Sequence, residues 1–257
     1  MEEGKNRGSR EGGLIMVKMG EDKRTKRSKA PAFWKIPRKK IRFTVTVSPG
    51  PHSKKESYPL AVLIRDILGL VKTYREAKTV IHEGKIVVDG IPRREPDFPV
   101  GLMDVIDIPS IGKTFRLVPI PGNLLHPINI PESEKSLKLC KVKEKNTVKG
   151  GLVQYGFHDG RSILGNDVEL NLGDTCLIEI PSQKIVKAVQ LQESSLAIIT
   201  KGAKVGQLGK IEKIIPGTFS RSKIVFISIG SISSELPSDI IFVVGEEKPL
   251  ITVSGET

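Results

Sequence analysis

Little in this chain is suited to redox or metal chemistry. It has two cysteines, Cys140 and Cys176, separated by 36 positions with no partner at Cys-x-x-Cys spacing. Neither a zinc knuckle nor a disulfide framework is indicated, and both read as small buried hydrophobes. The four histidines, His52, His82, His126 and His158, stand at no metal-ligand spacing with one another or with a cysteine. Long apolar runs are also missing. The longest, 60–64 and 240–244, have five residues each, far short of the ~20 that a membrane helix requires. The run 14–17 is too short for the core of a signal peptide, so the expected location is cytoplasmic and reducing. Acidic residues are absent from 23–42, although that stretch holds ten Lys or Arg and the only tryptophan, Trp34.

Segment 23–42 is the most informative part of the sequence. Its cations repel one another and it has too little apolar surface to offset the entropy of ordering. It therefore needs a polyanion, and Phe33 and Trp34 among the charges suit nucleic acid, where rings stack on unpaired bases while cations neutralise phosphates. The net charge of +12 is concentrated here: residues 1–58 hold 16 basic and 6 acidic groups, whereas 59–110 hold 7 and 8, 111–190 hold 11 and 8, and 191–257 hold 7 and 7. A basic arm attached to nearly neutral globular modules follows. Residues 1–18 read as a polar leader, with Met16 and Met19 as alternative starts.

After the arm, alternation over 41–47 predicts a strand, ended by the stiff turn Ser48-Pro49-Gly50-Pro51-His52. Leu60, Leu63, Ile64, Ile67, Leu68 and Val71 predict an amphipathic helix that begins at Pro59 and breaks near Gly69. Thr73 and Glu76 form a capping box for a second helix through Ile81, with Gly84 beyond its end. Strands at 86–88 and 105–108 follow, the first closed by an Asp89-Gly90 hairpin turn. From 113 onward, β-branched runs at 176–180, 185–189, 197–200, 211–215, 224–229 and 240–244 are separated by turn residues, which predicts small barrels or sandwiches. The expected architecture is α+β and multidomain: leader 1–18, basic arm 19–42, a two-helix module with a small sheet at 43–112, a central all-β domain at 113–190, and a C-terminal SH3-like β-barrel at 191–257.

The module from Pro59 to Ile108, through Leu63, Ile64, Leu68, Ala77, Ile81, Gly84, Asp89-Gly90 and Asp104-Val105-Ile106, resembles the S-four RNA-binding domain. Arg75, Lys78 and His82 form a polar stripe on its second helix, and free N–H groups at the Thr73 cap are candidates for holding a phosphate. Residues 197–211, with glycines at 202, 206 and 209, resemble the KOW motif, whose glycines serve turns and close backbone approach. A nucleotide-binding phosphate loop is excluded because Ile211 follows Gly209-Lys210 where Ser or Thr is required. In combination with Lys29-Ala30-Pro31-Ala32-Phe33-Trp34-Lys35-Ile36-Pro37-Arg38-Lys39, Gly101-Leu102-Met103-Asp104, Lys138-Leu139-Cys140-Lys141-Val142 and His158-Asp159-Gly160-Arg161, the chain resembles the e-type small-subunit ribosomal protein four family of archaea and eukaryotes over 19–253. It departs from the family pattern at Ala32-Phe33, and it lacks the longer C-terminal extension of many eukaryotic members, which favours an archaeal source.

That resemblance implies a structural, non-catalytic constituent of the small ribosomal subunit that binds ribosomal RNA and neighbouring ribosomal proteins, without cofactor, metal, membrane or small-molecule substrate. The expected RNA contacts are Lys23, Arg24, Lys26, Arg27, Lys29, Trp34, Lys35, Arg38, Lys39, Lys40 and Arg42 in the arm, then His52, Lys72, Arg75 and Lys78, then Lys201, Lys204 and Lys210. Trp34 has two candidate roles, against RNA or against its own S-four module. Two other readings compete. One is a free RNA chaperone or elongation-type factor. The other is a pseudouridine synthase with an S-four domain, against which stands Gly160-Arg161 without an aspartate soon after it. His158-Asp159, between Gly156 and Gly160, reads as a polar turn before an acid/base pair.

Overall fold

The computed structural model describes residues 24–37, 39, 41–165, 169–219, 221–230 and 232–253. At the start, β1 (Arg24–Lys26) pairs antiparallel with β2 (Phe43–Val45), Thr25 opposite Thr44, so the basic segment closes on itself as a loop. Next, β3 (Tyr58–Pro59) enters α1 (Leu60–Val62), which continues as a π-helical stretch over Leu63–Ile67. Pro59 is the N-cap, not the first helical residue, and Leu60 to Ile64 are all buried. The first helix is therefore enclosed on every side at its start and is not an amphipathic surface helix. It ends where Gly69 takes φ +63°.

Helix α2 (Tyr74–His82) buries Ala77 and Ile81 and carries the capping box predicted from Thr73 and Glu76. Strands β4 (Val87–Val88) and β5 (Ile91–Pro92) flank Asp89 and Gly90, both at positive φ, as the hairpin turn requires. Strand β6 (Pro99–Val100) pairs with β3, and β7 (Val105–Ile108), β8 (Lys113–Ile120) and β9 (Asn123–Asn129) complete a sheet ordered β5-β4-β7-β8-β9. The position 112/113 falls inside this sheet.

The central sheet holds β10 (Leu137–Thr147), β11 (Val153–Phe157), β12 (Ser162–Leu164), β13 (Thr175–Glu179) and β14 (Lys184–Val189) in the order β12-β11-β10-β13-β14. The last sheet holds β15 (Leu196–Ile199), β16 (Leu208–Ile215), β17 (Ile224–Ile229), β18 (Ile232–Pro237) and β19 (Ile241–Gly245), ordered β18-β17-β16-β15-β19. The expected C-terminal barrel is not found. This sheet is curved, with bulges at Leu196/Ala197 and Ile211/Lys213, but its edges β18 and β19 do not pair with each other. The reason lies on β19. Its free edge is taken up by the following segment, where Leu250 N donates to Val244 O at 2.9 Å and Gly245 bridges Pro249.

Four apolar cores fill the molecule. One joins Trp34 and Ile36 of the arm to α1, α2, Leu117 and Leu125. A second gathers Met103, Val118, Leu139, Leu177, Ile198 and Phe242, drawn from all three sheets. The other two lie within the C-terminal and central sheets. The shared second core makes the sheets parts of one packed body.

Candidate nucleic-acid interface

The arm is pinned to the body by its aromatic residues. Trp34 is fully buried and its indole Nε1 donates to Ser57 O at 2.9 Å. Phe33 meets Tyr58 edge-on with centroids 5.0 Å apart, and Tyr58 Oη lies 3.1 Å from Phe33 O and 3.0 Å from Leu125 O. Arg27 Nε donates to Ile36 O at 2.8 Å, and Arg27 N to Arg42 O at 3.0 Å. Of its two candidate places, Trp34 takes the one against its own module, so its ring is not presented to a base. Arg24, Lys26, Lys29, Lys35, Lys39 and Arg42 remain exposed around this anchor, with Arg27 half-buried. Lys23, Arg38 and Lys40 lie outside the described residues, as does the leader 1–18.

Lys72, just before α2, and Arg75, Lys78 and His82 on it are exposed and form one polar face, with three of them basic side chains of Lys or Arg, opposite buried Ala77 and Ile81. The capping box occupies part of the helix N-terminus. Glu76 N donates to Thr73 Oγ1 at 3.2 Å, while Glu76 Oε2 accepts from Lys72 N at 3.0 Å and Thr73 N at 3.4 Å. A carboxylate already occupies the positive end of the helix, and the Lys72 N–H holds its pKa below the ordinary value. The box leaves the Tyr74 and Arg75 N–H groups without an acceptor among the described residues.

Beyond the expected set, residues far apart in sequence converge in a buried ionic junction. Lys138 Nζ lies 2.6 Å from Asp89 Oδ2, 2.6 Å from Asp104 Oδ1 and 2.9 Å from Asp159 Oδ2. Arg161 bridges Asp89 at 2.7 Å and Asp159 at 3.0 Å, and His52 Nε2 lies 3.1 Å from Asp104. Spare carboxylate oxygens accept backbone N–H groups: Asp104 Oδ2 from Gly101 at 2.8 Å and Asp89 Oδ1 from Val105 at 3.0 Å. Burial alone would raise the Asp104 and Asp159 carboxyls, yet His52 and Lys138 hold the first, and Lys138 foremost the second, below the usual carboxylate range. Burial likewise opposes the charge on Lys138, and the three carboxylates raise its pKa well above the ordinary value. His52, an expected RNA contact, lies inside this junction, and a Cβ at Gly101 would collide with its ring.

Cys140, His158 and Asp159 bring possible ligand atoms within 4.8 Å of one another. Their chemistry is already committed. His158 Nδ1 accepts from Lys141 N at 3.2 Å and Nε2 is 3.1 Å from Leu102 O, which fixes the neutral Nε2–H tautomer. Burial pushes its pKa down to about 3. The Cys140 thiol donates to Asp159 at 3.5 Å, and burial raises its pKa well above the ordinary value. This is a hydrogen-bonded polar turn, in which both ring nitrogens of His158 are taken.

In the C-terminal sheet, Gly206 takes φ +80° and a Cβ there would collide with the backbone of Ile120 and Pro121, so glycine is needed both for the turn and for the close approach. Around it, Lys201 pairs with Glu56, Lys204 Nζ meets Ser234 Oγ, and Lys210 is exposed. Sequence reading identified these lysines, but it passed over Lys143 and Lys145 on β10 and Lys223 just before β17. It saw Asp89 as a turn residue and Lys138, Asp104 and Arg161 as parts of motifs, but gave none of them an ion-pairing role, because their spacing is not diagnostic.

A cationic arm folded onto a two-helix module, with that module ion-paired to two further sheets, defines a multi-module protein built on an S4 domain. The S4 domain profile matches residues 59–106, the RS4NT (NUC023) domain residues 19–55, and Ribosomal family S4e residues 111–185. The small ribosomal subunit protein eS4 of Methanosphaera stadtmanae is 40% identical over 241 residues, covering 94% of this chain and 100% of that protein. The eS4 of Ignicoccus hospitalis is 41% identical, covering 92% of this chain and 97% of that protein. A crystal structure of 30S ribosomal protein S4e from Thermoplasma acidophilum superposes with a TM-score of 0.65 at 32% identity, covering 74% of this chain and 96% of that one. This chain belongs to the eS4 family of small-subunit ribosomal proteins.

Proposed function

We infer that the protein is a structural, non-catalytic constituent of the small ribosomal subunit in the cytoplasm, bound to its RNA and to neighbouring ribosomal proteins. The observation that carries this reading is the 40% identity to an eS4 protein over its full length. The proposed RNA contacts are the exposed arm cations Arg24, Lys26, Lys29, Lys35, Lys39 and Arg42, joined by Lys72, just before α2, and Arg75 and Lys78 on it. Lys23, Arg38 and Lys40 are proposed from sequence alone. The hairpin at 197–211 is proposed as a KOW-like element whose Lys201, Lys204 and Lys210 form a further contact. The division at 42, 112 and 190 is proposed as the boundary of functional units, with β8 and β9 joining the second to the third. Trp34 and His52 serve this surface from beneath, by positioning it.

The test is sedimentation of native lysate through sucrose at low and high salt, with mass spectrometry of the small-subunit fraction. Near-stoichiometric retention at high salt is the expected result. Loss on washing would favour a visiting chaperone or elongation-type factor. Absence at both salts, with specific pseudouridines missing from a depleted strain, would favour the modifying enzyme.

A further inference from the structure

The largest concavity among the described pockets lies between the central and C-terminal sheets, not on the arm or the S4 module. It encloses about 1190 Å³ and is lined along β10 by Lys141, Lys143 and Lys145 and on the opposite wall by Lys201, Ser222 and Lys223. Three carboxylates also reach it, Glu144, Asp174 and Asp239. Asp174 is turned inward, with its oxygens accepting Leu191 N and Asn171 N, each at 2.8 Å.

The lysines are not neutralised by these acids. Lys141 Nζ donates to the carbonyls of Ser238 and Ile241, each at 2.7 Å, and Lys145 Nζ to Leu170 O at 3.1 Å. Carbonyl partners orient an ammonium without cancelling its charge. The ammonium groups of Lys143 and Lys223 make no hydrogen bond or salt bridge among the described residues, although Glu56, paired with Lys201, also feels the charge of Lys143. The groove therefore concentrates positive potential between low-dielectric walls, the arrangement that focuses a field on an approaching polyanion. Burial pushes Lys141 down to about 8; Asp239 opposes this, while Lys143, Lys201 and Lys223 act in the same direction as burial.

The wall that supplies Ser222 and Lys223 is the β16–β17 hairpin. Its turn is closed by Thr218 N donating to Arg221 O at 2.9 Å and carries Phe219 wholly exposed at the tip. A fully solvated phenylalanine flanked by Arg221 and Lys223 suits a base that can stack on it.

We propose that this groove is a second RNA-binding site, with Lys143, Lys145 and Lys223 holding the phosphates of a strand that runs toward the β16–β17 hairpin, where Phe219 stacks on an unpaired base. The proposal rests on the ribosomal RNA-binding reading. It adds a contact on the side of the molecule formed by the two all-β sheets.

The experiment compares the full chain with K143Q/K145Q/K223Q, F219A and, as a reference, R75E/K78E, measuring binding to small-subunit ribosomal RNA across a salt series. The triple substitution removes three phosphate contacts, so the slope of log affinity against log salt should shrink by about 2 to 3. F219A should weaken binding about tenfold with the salt slope unchanged. Circular dichroism of each variant confirms folding; Arg75, Lys78, Lys143, Lys145 and Phe219 are exposed and Lys223 is half-buried. If R75E/K78E weakens binding while the triple variant and F219A match the parent in affinity and slope, the groove proposal is overturned and the ribosomal reading stands. If the parent shows no affinity for this RNA, both fall. If the triple variant retains RNA binding and loses only an acidic ribosomal protein, the groove is a protein site and the proposal is likewise overturned.

Discussion

His158 shows how a histidine can be essential without being catalytic. Its two ring nitrogens hold opposite roles, one accepting from Lys141 N and one donating to Leu102 O, and only the neutral ring satisfies both. The folded-state pKa is depressed to about 3, against ~6.5 in an unfolded chain. Between these values the unfolded state binds the extra proton, so the contribution of His158 to stability is complete above about 6.5 and is lost as pH falls toward 3, at about 1.4 kcal/mol per pH unit once well inside the window. Asp104 and Asp159, also depressed, begin to lose theirs only below the ordinary aspartate value. Chemical denaturation of the parent and of His158→Gln should therefore give stability curves that converge as pH drops from 6.5 to 4.5. Parallel curves over that range would show that the ring titrates normally and that its two hydrogen bonds do not determine its charge state.

The arm is an element whose anchor and whose working surface are different residues. Trp34 and Phe33 stand among the cations in sequence, which makes them read as stacking residues, yet packing in the core with Tyr58 and Leu125 buries Trp34 fully and Phe33 in part. Trp34→Ala should cost about 3 to 5 kcal/mol locally and free the arm, so that the amides of Arg27 and Lys35 lose hydrogen-exchange protection while those of β16 and β17 keep theirs. Unchanged exchange at Arg27 and Lys35 would show that the β1–β2 pairing alone holds the arm. The same contrast explains what was legible in the sequence. The capping box, the Asp89-Gly90 turn and the strands from 176 onward other than β18 follow local rules, with alternation and turn chemistry pointing one way. Strands β8, β9 and β10 were missed because Pro119, Pro121 and Pro127 interrupt the alternation and because buried Arg116, Lys138 and Lys141 look like surface residues. The family signatures around Asp104, Lys138 and His158 were visible as patterns, but their meeting in one junction is a property of the fold.

That junction ties the modules into one body. Asp89 and Asp104 come from the S4 module, Lys138, Asp159 and Arg161 from the central sheet, and a second tie runs from Arg116 through Glu134 to Thr252 near the C-terminal edge. Such a body presents the arm, the α2 face and the groove in fixed relation, which three independently tethered modules would not do. Replacing the network as a whole by apolar residues could be close to neutral, but removing one member leaves uncompensated buried charge, at a cost of about 3 to 5 kcal/mol. Lys138→Met is the severest single case, since three carboxylates then face only Arg161 and His52. In the parent, denaturant unfolding followed by Trp34 fluorescence, which reports the arm and S4 core, should coincide with unfolding followed by exchange of the β10–β13 amides. In Lys138→Met both transitions should move to lower denaturant together, because the lost ion pairs belong to both modules. A shift confined to the central strands, with Trp34 unaffected, would mean that the S4 module is stable by itself and that the ionic junction does not couple the two.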